Sequence, residues 1–275
     1  MSRHAFVDHK TKLLLFWTPK VACTSLAHWF VLGAMGQERG FVKETAYSGP
    51  REWLEGEGHS VDYKQARELA VKSGYETCIV ARHPVSRAIS GYLDKFVMHQ
   101  KQPLDSFDSL EIFAAQAYSK WKGPSRLHLR PVPYKGVTFM EFIEAIKSAV
   151  DARKHGEARL NHHWNTQVPF YYKDKGFAYD HVFYLENFNQ AIEWLSARYG
   201  VDVDIPGRKN TTTYGTESHE GVPTMSSLDL CKRPELLSRE NFMTQEVLQI
   251  IADAYAIDYE YFGYDPYELT HPPSF

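Results

Sequence analysis

Two short segments of the chain place cationic and hydroxyl side chains where an apolar strand turns into a helix. In LLLFWTPKVACTSLAHWFVLGAM, residues 13–35, the turn carries Pro19, Lys20, Val21, Ala22, Cys23, Thr24 and Ser25. In TCIVARHPVSRAISGYLDKF, residues 77–96, it carries Arg82, Arg87 and Ser90. Backbone N–H groups that open a helix after a strand form an anion site, because they point outward unpaired and the helix dipole favours negative charge. An ammonium on the first turn and two guanidiniums on the second add directional, charge-assisted contacts. Two such turns predict a ligand with phosphate or sulfate at both ends. The first is not a GxxxxGK[ST] loop, since Lys20 precedes Thr24 by four residues and the glycines are missing. That weighs against a kinase or other phosphotransferase, the competing enzyme class; the other alternative is a nucleotide-binding module without chemistry.

Transfer of an anionic group to a hydroxyl also needs a base, and near neutrality histidine is the usual one. Of thirteen histidines, His59 in GEGHS and His163 in NHHWNTQ stand in polar loops. A carboxylate of the same long loop, Glu44 or Glu55, is the alternative. The residues alone leave these open. No HExxH and no clustered Cys/His spacing occurs, so no metal site is expected.

The elements that must position these groups follow from the apolar pattern. Residues 12–17, 77–81 and 181–186 read as strands buried on both faces, and helices follow each of them. Residues 62–73 form a helix capped by Asp62, 138–150 an amphipathic helix, and 239–256 the C-terminal helix. Residues 36–60 are polar, glycine-rich and aperiodic, which marks a functional excursion. Together with 100–170 they are expected on the acceptor side. The fold class is α/β: a P-loop-like parallel sheet flanked by helices, in a single domain over 1–275.

Composition bounds the function. At 275 residues, 43% hydrophobic and 24% charged, the chain can bury a full core, and a net charge of −3 carries no signature of nucleic-acid binding. Three widely spaced cysteines make no disulfide framework, and Cys23 is expected to pack beneath the first turn. Without a signal-peptide core or spanning segment in the sequence, a cytoplasmic protein is expected. Phe16 and Trp17 read as core, whereas Trp53, Trp121 and Trp164 are available to stack on a ring.

The two turns resemble the cofactor loops of sulfotransferases that use 3′-phosphoadenosine 5′-phosphosulfate (PAPS). The likeness is to the carbohydrate group that includes the chondroitin 4-O- and 2-O-sulfotransferases. It falls on Pro19, Lys20, Cys23 and Thr24, then on Arg82, Pro84, Arg87, Ser90, Tyr92, Lys95 and Phe96. NHHWNTQ at 161–167 resembles the family's HWxPQ segment, YDHVFYLENF its late strand–helix unit and IDYEYFGY its terminal DFxxFxY. Ala22 departs from the pattern, which has glycine there. The resemblance implies PAPS as donor, PAP as product, a 5′ phosphosulfate at the first turn and a 3′ phosphate on Arg82 and Ser90. It implies a basic loop, here Arg208, Lys209 and Asn210, over the nucleotide. It also favours His59 as base over His163, and a saccharide hydroxyl as acceptor over another small-molecule hydroxyl. The missing anchor and paired cysteines of Golgi relatives point to a soluble, bacterial relative without a membrane span.

Overall fold

The computed structural model describes residues 5–38, 41–122, 134–154, 160–169, 177–201, 215 and 217–269. Seven strands are described: β1 (Ala5–Asp8), β2 (Leu13–Phe16), β3 (Ser60–Val61), β4 (Glu76–Ala81), β5 (Met98–His99), β6 (Gln102–Pro103) and β7 (His181–Tyr184). Five form the main sheet in the order β3-β1-β2-β4-β7, and β5–β6 is a separate small hairpin. β2, β4 and β7 are parallel, but β1 is antiparallel to both β2 and β3. The sheet is therefore mixed, and the expected parallel arrangement holds only for its central three strands. β2 starts one residue later than the sequence suggests because Lys12 takes a left-handed turn conformation, φ 56°.

Alternation along the strands builds two cores. Leu14, Phe16, Ile79 and Ala81 face one cluster, with Val85, Ile89 and Tyr92 of helix α4 (Pro84–Tyr92), Ala114 and Tyr118 of α5 (Ile112–Lys122), and Phe139 and Phe142 of α6 (Phe139–Lys154). Leu13, Leu15, Cys78 and Val80 face the other. There they meet Leu26 and Trp29 of α1 (Cys23–Trp29), Trp53 and Leu54 of α2 (Pro50–Gly56), and Ala191 and Leu195 of α7 (Phe188–Tyr199). Helix α3 (Tyr63–Ser73) has the predicted Asp62 cap, which accepts from Gln65 N at 2.8 Å in a full capping box.

The excursion at 36–60 is more ordered than its composition suggests. It holds the 3₁₀ turn Phe41–Glu44 and α2, whose Trp53 is 7% exposed and packs edge-on against Phe41. Trp53 is thus a core residue, as is Trp164 at 3%. The expected C-terminal helix is broken into a 3₁₀ turn at Glu240–Phe242 and helices Gln245–Ala254 and Ala256–Phe262. Both α1 and α4 continue into π turns, at Phe30–Ala34 and Leu93–Val97. Among the described residues no helix is long and apolar enough to cross a membrane.

Candidate active site

The carboxyl ends of β2, β4 and β7 lie side by side, Phe16 beside Ile79 and Ala81 beside Tyr184. Ligands of open α/β sheets bind at this edge. In the first turn Lys20 (φ 69°) and Ala22 (φ 48°) are both left-handed. Val21 N bonds back to Thr18 O at 3.3 Å, and the first helical bond runs from Leu26 N to Ala22 O. The N–H groups of Cys23, Thr24 and Ser25 are left open, with no side-chain cap over them. Alternating handedness of this kind gathers N–H groups into a concave anion nest. The positive φ explains why glycine suits position 22, since a Cβ there costs about 1 kcal/mol. Ala22→Gly is expected to raise the melting temperature by about 2 °C, the equivalent of that cost. A differential-scanning measurement showing no rise would mean that the turn relaxes without strain.

The second turn is built differently, which corrects the expectation of two N–H cradles. Arg82 N donates to Gln167 Oε1 at 2.9 Å and His83 N to Glu186 Oε1 at 3.0 Å. His83 caps α4 through Nδ1, which accepts from Val85 N at 3.3 Å, while its Nε2–H donates to Asp265 O at 3.0 Å. Burial of that ring lowers its pKa and keeps it neutral. With the backbone donors at 82, 83 and 85 satisfied internally, side chains must hold an anion here. Ser90, 5% exposed, has a hydroxyl that makes no hydrogen bond among the described residues. The Arg82 guanidinium keeps its charge although burial pulls its pKa down to about 10, with Glu186 opposing.

Both arginines also brace the first turn. Arg82 Nη1 donates to Lys20 O at 2.9 Å, and Arg87 Nε to Pro19 O at 3.1 Å. Arg87 is 2% exposed and donates further, from Nη1 to Asn165 O at 2.6 Å and from Nη2 to His162 O at 3.4 Å. Its three hydrogen bonds all go to backbone carbonyls and make it a strut between the first turn and the 161–167 segment. That segment is held from below by buried Asp258. Its carboxylate accepts from Gln167 N at 2.8 Å and Val168 N at 3.0 Å, and Gln167 Nε2 donates on to Arg82 O at 2.8 Å. NHHWNTQ and IDYEYFGY, two of the three late landmarks of the sequence, are therefore scaffolding for Arg82.

Lys20 Nζ lies 3.1 Å from Asp94 Oδ2 on the π turn after α4, and Lys95 Nζ lies 2.8 Å from the same oxygen. His163 shares this neighbourhood. Its ring stacks flat on Phe113 at 4.4 Å, and its backbone N–H and Nδ1 both approach Asn161 Oδ1, at 3.0 and 2.8 Å. An amide oxygen only accepts, so Nδ1 carries the hydrogen and Nε2 keeps its lone pair. Burial, followed by the fields of His162, Lys95 and Lys20, pushes the His163 pKa down to about 3. His59 is elsewhere. Its carbonyl accepts from Val7 N at the outer edge of the sheet, and its ring stacks on Trp53 at 5.6 Å. Glu44 is exposed on its 3₁₀ turn. Arg208, Lys209 and Asn210 lie outside the described residues.

A cavity of about 320 Å³ is lined among others by Phe113, Trp121 and Trp164 with Gln116, Lys120 and Asn161; His163 is not part of its lining, but Phe113 and Asn161 also touch that residue. A larger one, about 780 Å³, lies at the opposite ends of the strands around Arg67, Glu76 and His181, away from both turns. Sequence reading overlooked Asp94, Gln167 and Asp258 as partners of the site, although all three lie within its quoted motifs. No curated protein and no solved structure matches the chain. A model of the Sulfotransferase family matches residues 3–265, so the chain belongs to that family, whose members take the sulfuryl group from PAPS and release PAP.

Proposed function

We propose that the chain transfers the PAPS sulfuryl group to a hydroxyl of a saccharide, with His163 as the base. The observation that carries this reading is a histidine whose Nδ1 is pinned on Asn161 while its Nε2 has no partner among the described residues, with an aromatic cavity that shares Phe113 and Asn161 with it. Aromatic faces rimmed by amide and ammonium donors suit a sugar ring, which is apolar on its faces and polar at its edge. The alanines at 117, 145 and 149 on the same wall favour, as the second reading, a flatter phenolic or natural-product acceptor.

In this scheme the 5′ phosphosulfate sits in the Pro19–Ser25 nest and the 3′ phosphate on Arg82 and Ser90. Residues Arg208–Asn210 are assigned to the nucleotide by sequence resemblance. The acceptor oxygen attacks sulfur, the bond from sulfur to the bridging phosphate oxygen breaks, and His163 Nε2 takes the acceptor proton. Lys20 neutralises the charge that develops on the leaving oxygen. Burial is the largest cause of the low His163 pKa; of the cations that add to it, Lys20 is the one a bound donor offsets, and on that count its proton affinity rises in the complex.

His163→Ala is expected to abolish transfer to saccharide acceptors while leaving PAP affinity intact, and His59→Ala to keep near-normal turnover. The acidic limb of kcat, which reports the ternary complex, should lie at higher pH than that of kcat/KM for PAPS. An inactive His59→Ala enzyme beside an active His163→Ala enzyme would return the base to the 36–60 excursion. Comparing kcat/KM for saccharides and simple phenols separates the two acceptor classes.

A further inference from the structure

The carboxylate that holds Lys20 is anchored independently of it. Asp94 Oδ2 accepts from Lys95 at 2.8 Å, and Lys95 is fixed in turn by Glu111 at 2.8 Å and by the Phe113 ring, 5.6 Å below its Nζ. Asp94 Oδ1 also meets His99 Nδ1 at 3.2 Å. Lys95 is only 7% exposed, so this arrangement stays in place if Lys20 departs. Lys20 has Asp94 as its one ion-pair partner among the described residues. The spacing 87, 90, 94 on α4 and its π turn puts the strut, the free hydroxyl and this carboxylate on one face toward the first turn.

We propose that Asp94 is a positioning residue for Lys20: it holds the ammonium over the nest before the donor arrives and surrenders it to the phosphosulfate on binding. The inference rests on the assignment of Lys20 above. Every charged neighbour matters to its consequence. Burial lowers the Lys20 pKa, Lys95 and Arg82 lower it further, and Asp94 opposes them. Asp94 itself is held down to about 2 by Lys20 and Lys95 against burial, so it stays ionised throughout the working range. Glu111 on Lys95, His99 on Asp94 Oδ1 and His163, whose pKa Lys95 and Lys20 help to lower, are the remaining titratable neighbours. Without the Asp94 charge, Lys20 loses its proton at lower pH.

The test is the pH dependence of kcat/KM for PAPS, which reports the free enzyme. For Asp94→Asn the alkaline limb is expected to move to lower pH by about one unit, the size of one close opposite charge. PAP should bind at least as tightly as to the wild type, since a competing anion is gone. Asp94→Glu, which keeps the charge, should bring the limb back toward its wild-type position, a rescue that lost packing alone would not produce. An Asp94→Asn profile that superimposes on the wild type, while Lys20→Ala is slow, overturns the role of Asp94 alone. A Lys20→Ala enzyme with wild-type turnover overturns the underlying assignment instead.

Discussion

Replacement of Lys20 by alanine is expected to lower kcat about a hundredfold, roughly 3 kcal/mol of transition-state stabilisation, while weakening PAP by less than tenfold. The asymmetry follows from how the turn is built. What holds the first turn in place is the backbone of Lys20, whose carbonyl receives Arg82, together with the Pro19 carbonyl that receives Arg87. The open N–H groups of Cys23, Thr24 and Ser25 do not depend on the Lys20 side chain either. Alanine therefore removes the ammonium and leaves the cradle. Because PAP lacks the sulfuryl group, its affinity does not report charge that develops on the bridging oxygen during transfer. Steady-state kinetics with PAPS and calorimetric titration with PAP separate the two quantities. Equal losses in both would make Lys20 a plain phosphate clamp.

Much of this site is written locally in the sequence, and what is missing is tertiary. The strand–turn–helix units at 13–35 and 77–96 are legible because buried parallel strands are continuous apolar runs and prolines mark where they stop. The antiparallel strands β1 and β3 escape that reading. One has three apolar residues before Asp8, and the other is two residues long. The internal satisfaction of the second turn could not be read at all, because its acceptors Gln167 and Glu186 come from more than eighty residues away. The two candidate bases differ in the same respect. The glycines around His59 suggest a mobile loop over a site, yet the chain folds that segment as an edge strand behind Trp53. The setting of His163 is tertiary: Phe113 and Asn161 hold its ring, and burial, then the fields of His162, Lys95 and Lys20, lower its pKa. Asp94 had no signal of its own in LDKF, since its meaning depends on a lysine seventy-four residues earlier.

Arg87 provides the sharpest test of how sequence and tertiary reading differ. As a motif residue it looks like a phosphate ligand; in the fold it is a strut, and Arg87→Ala should cost about 3–5 kcal/mol of stability. Its guanidinium is buried, and its removal strands the carbonyls of Pro19, His162 and Asn165 that it satisfies. It also opposes the burial that pushes the Asp258 pKa up to about 6. A carboxyl raised in the folded state favours folding fully below its unfolded value near 3.8, and that contribution is lost as pH rises through the folded value. Without Arg87 the ionised Asp258 is still less tolerated. The stability gap between wild type and Arg87→Ala should therefore be smallest near pH 5 and widen toward pH 8. Arg82→Ala makes the contrast, because it surrenders a single bond to Lys20 O and should melt much closer to wild type while losing most of its PAP affinity. Thermal melts across pH with PAP titrations on both variants decide it. An Arg87→Ala protein that melts like the wild type and is impaired only in PAP binding would restore Arg87 to the phosphate.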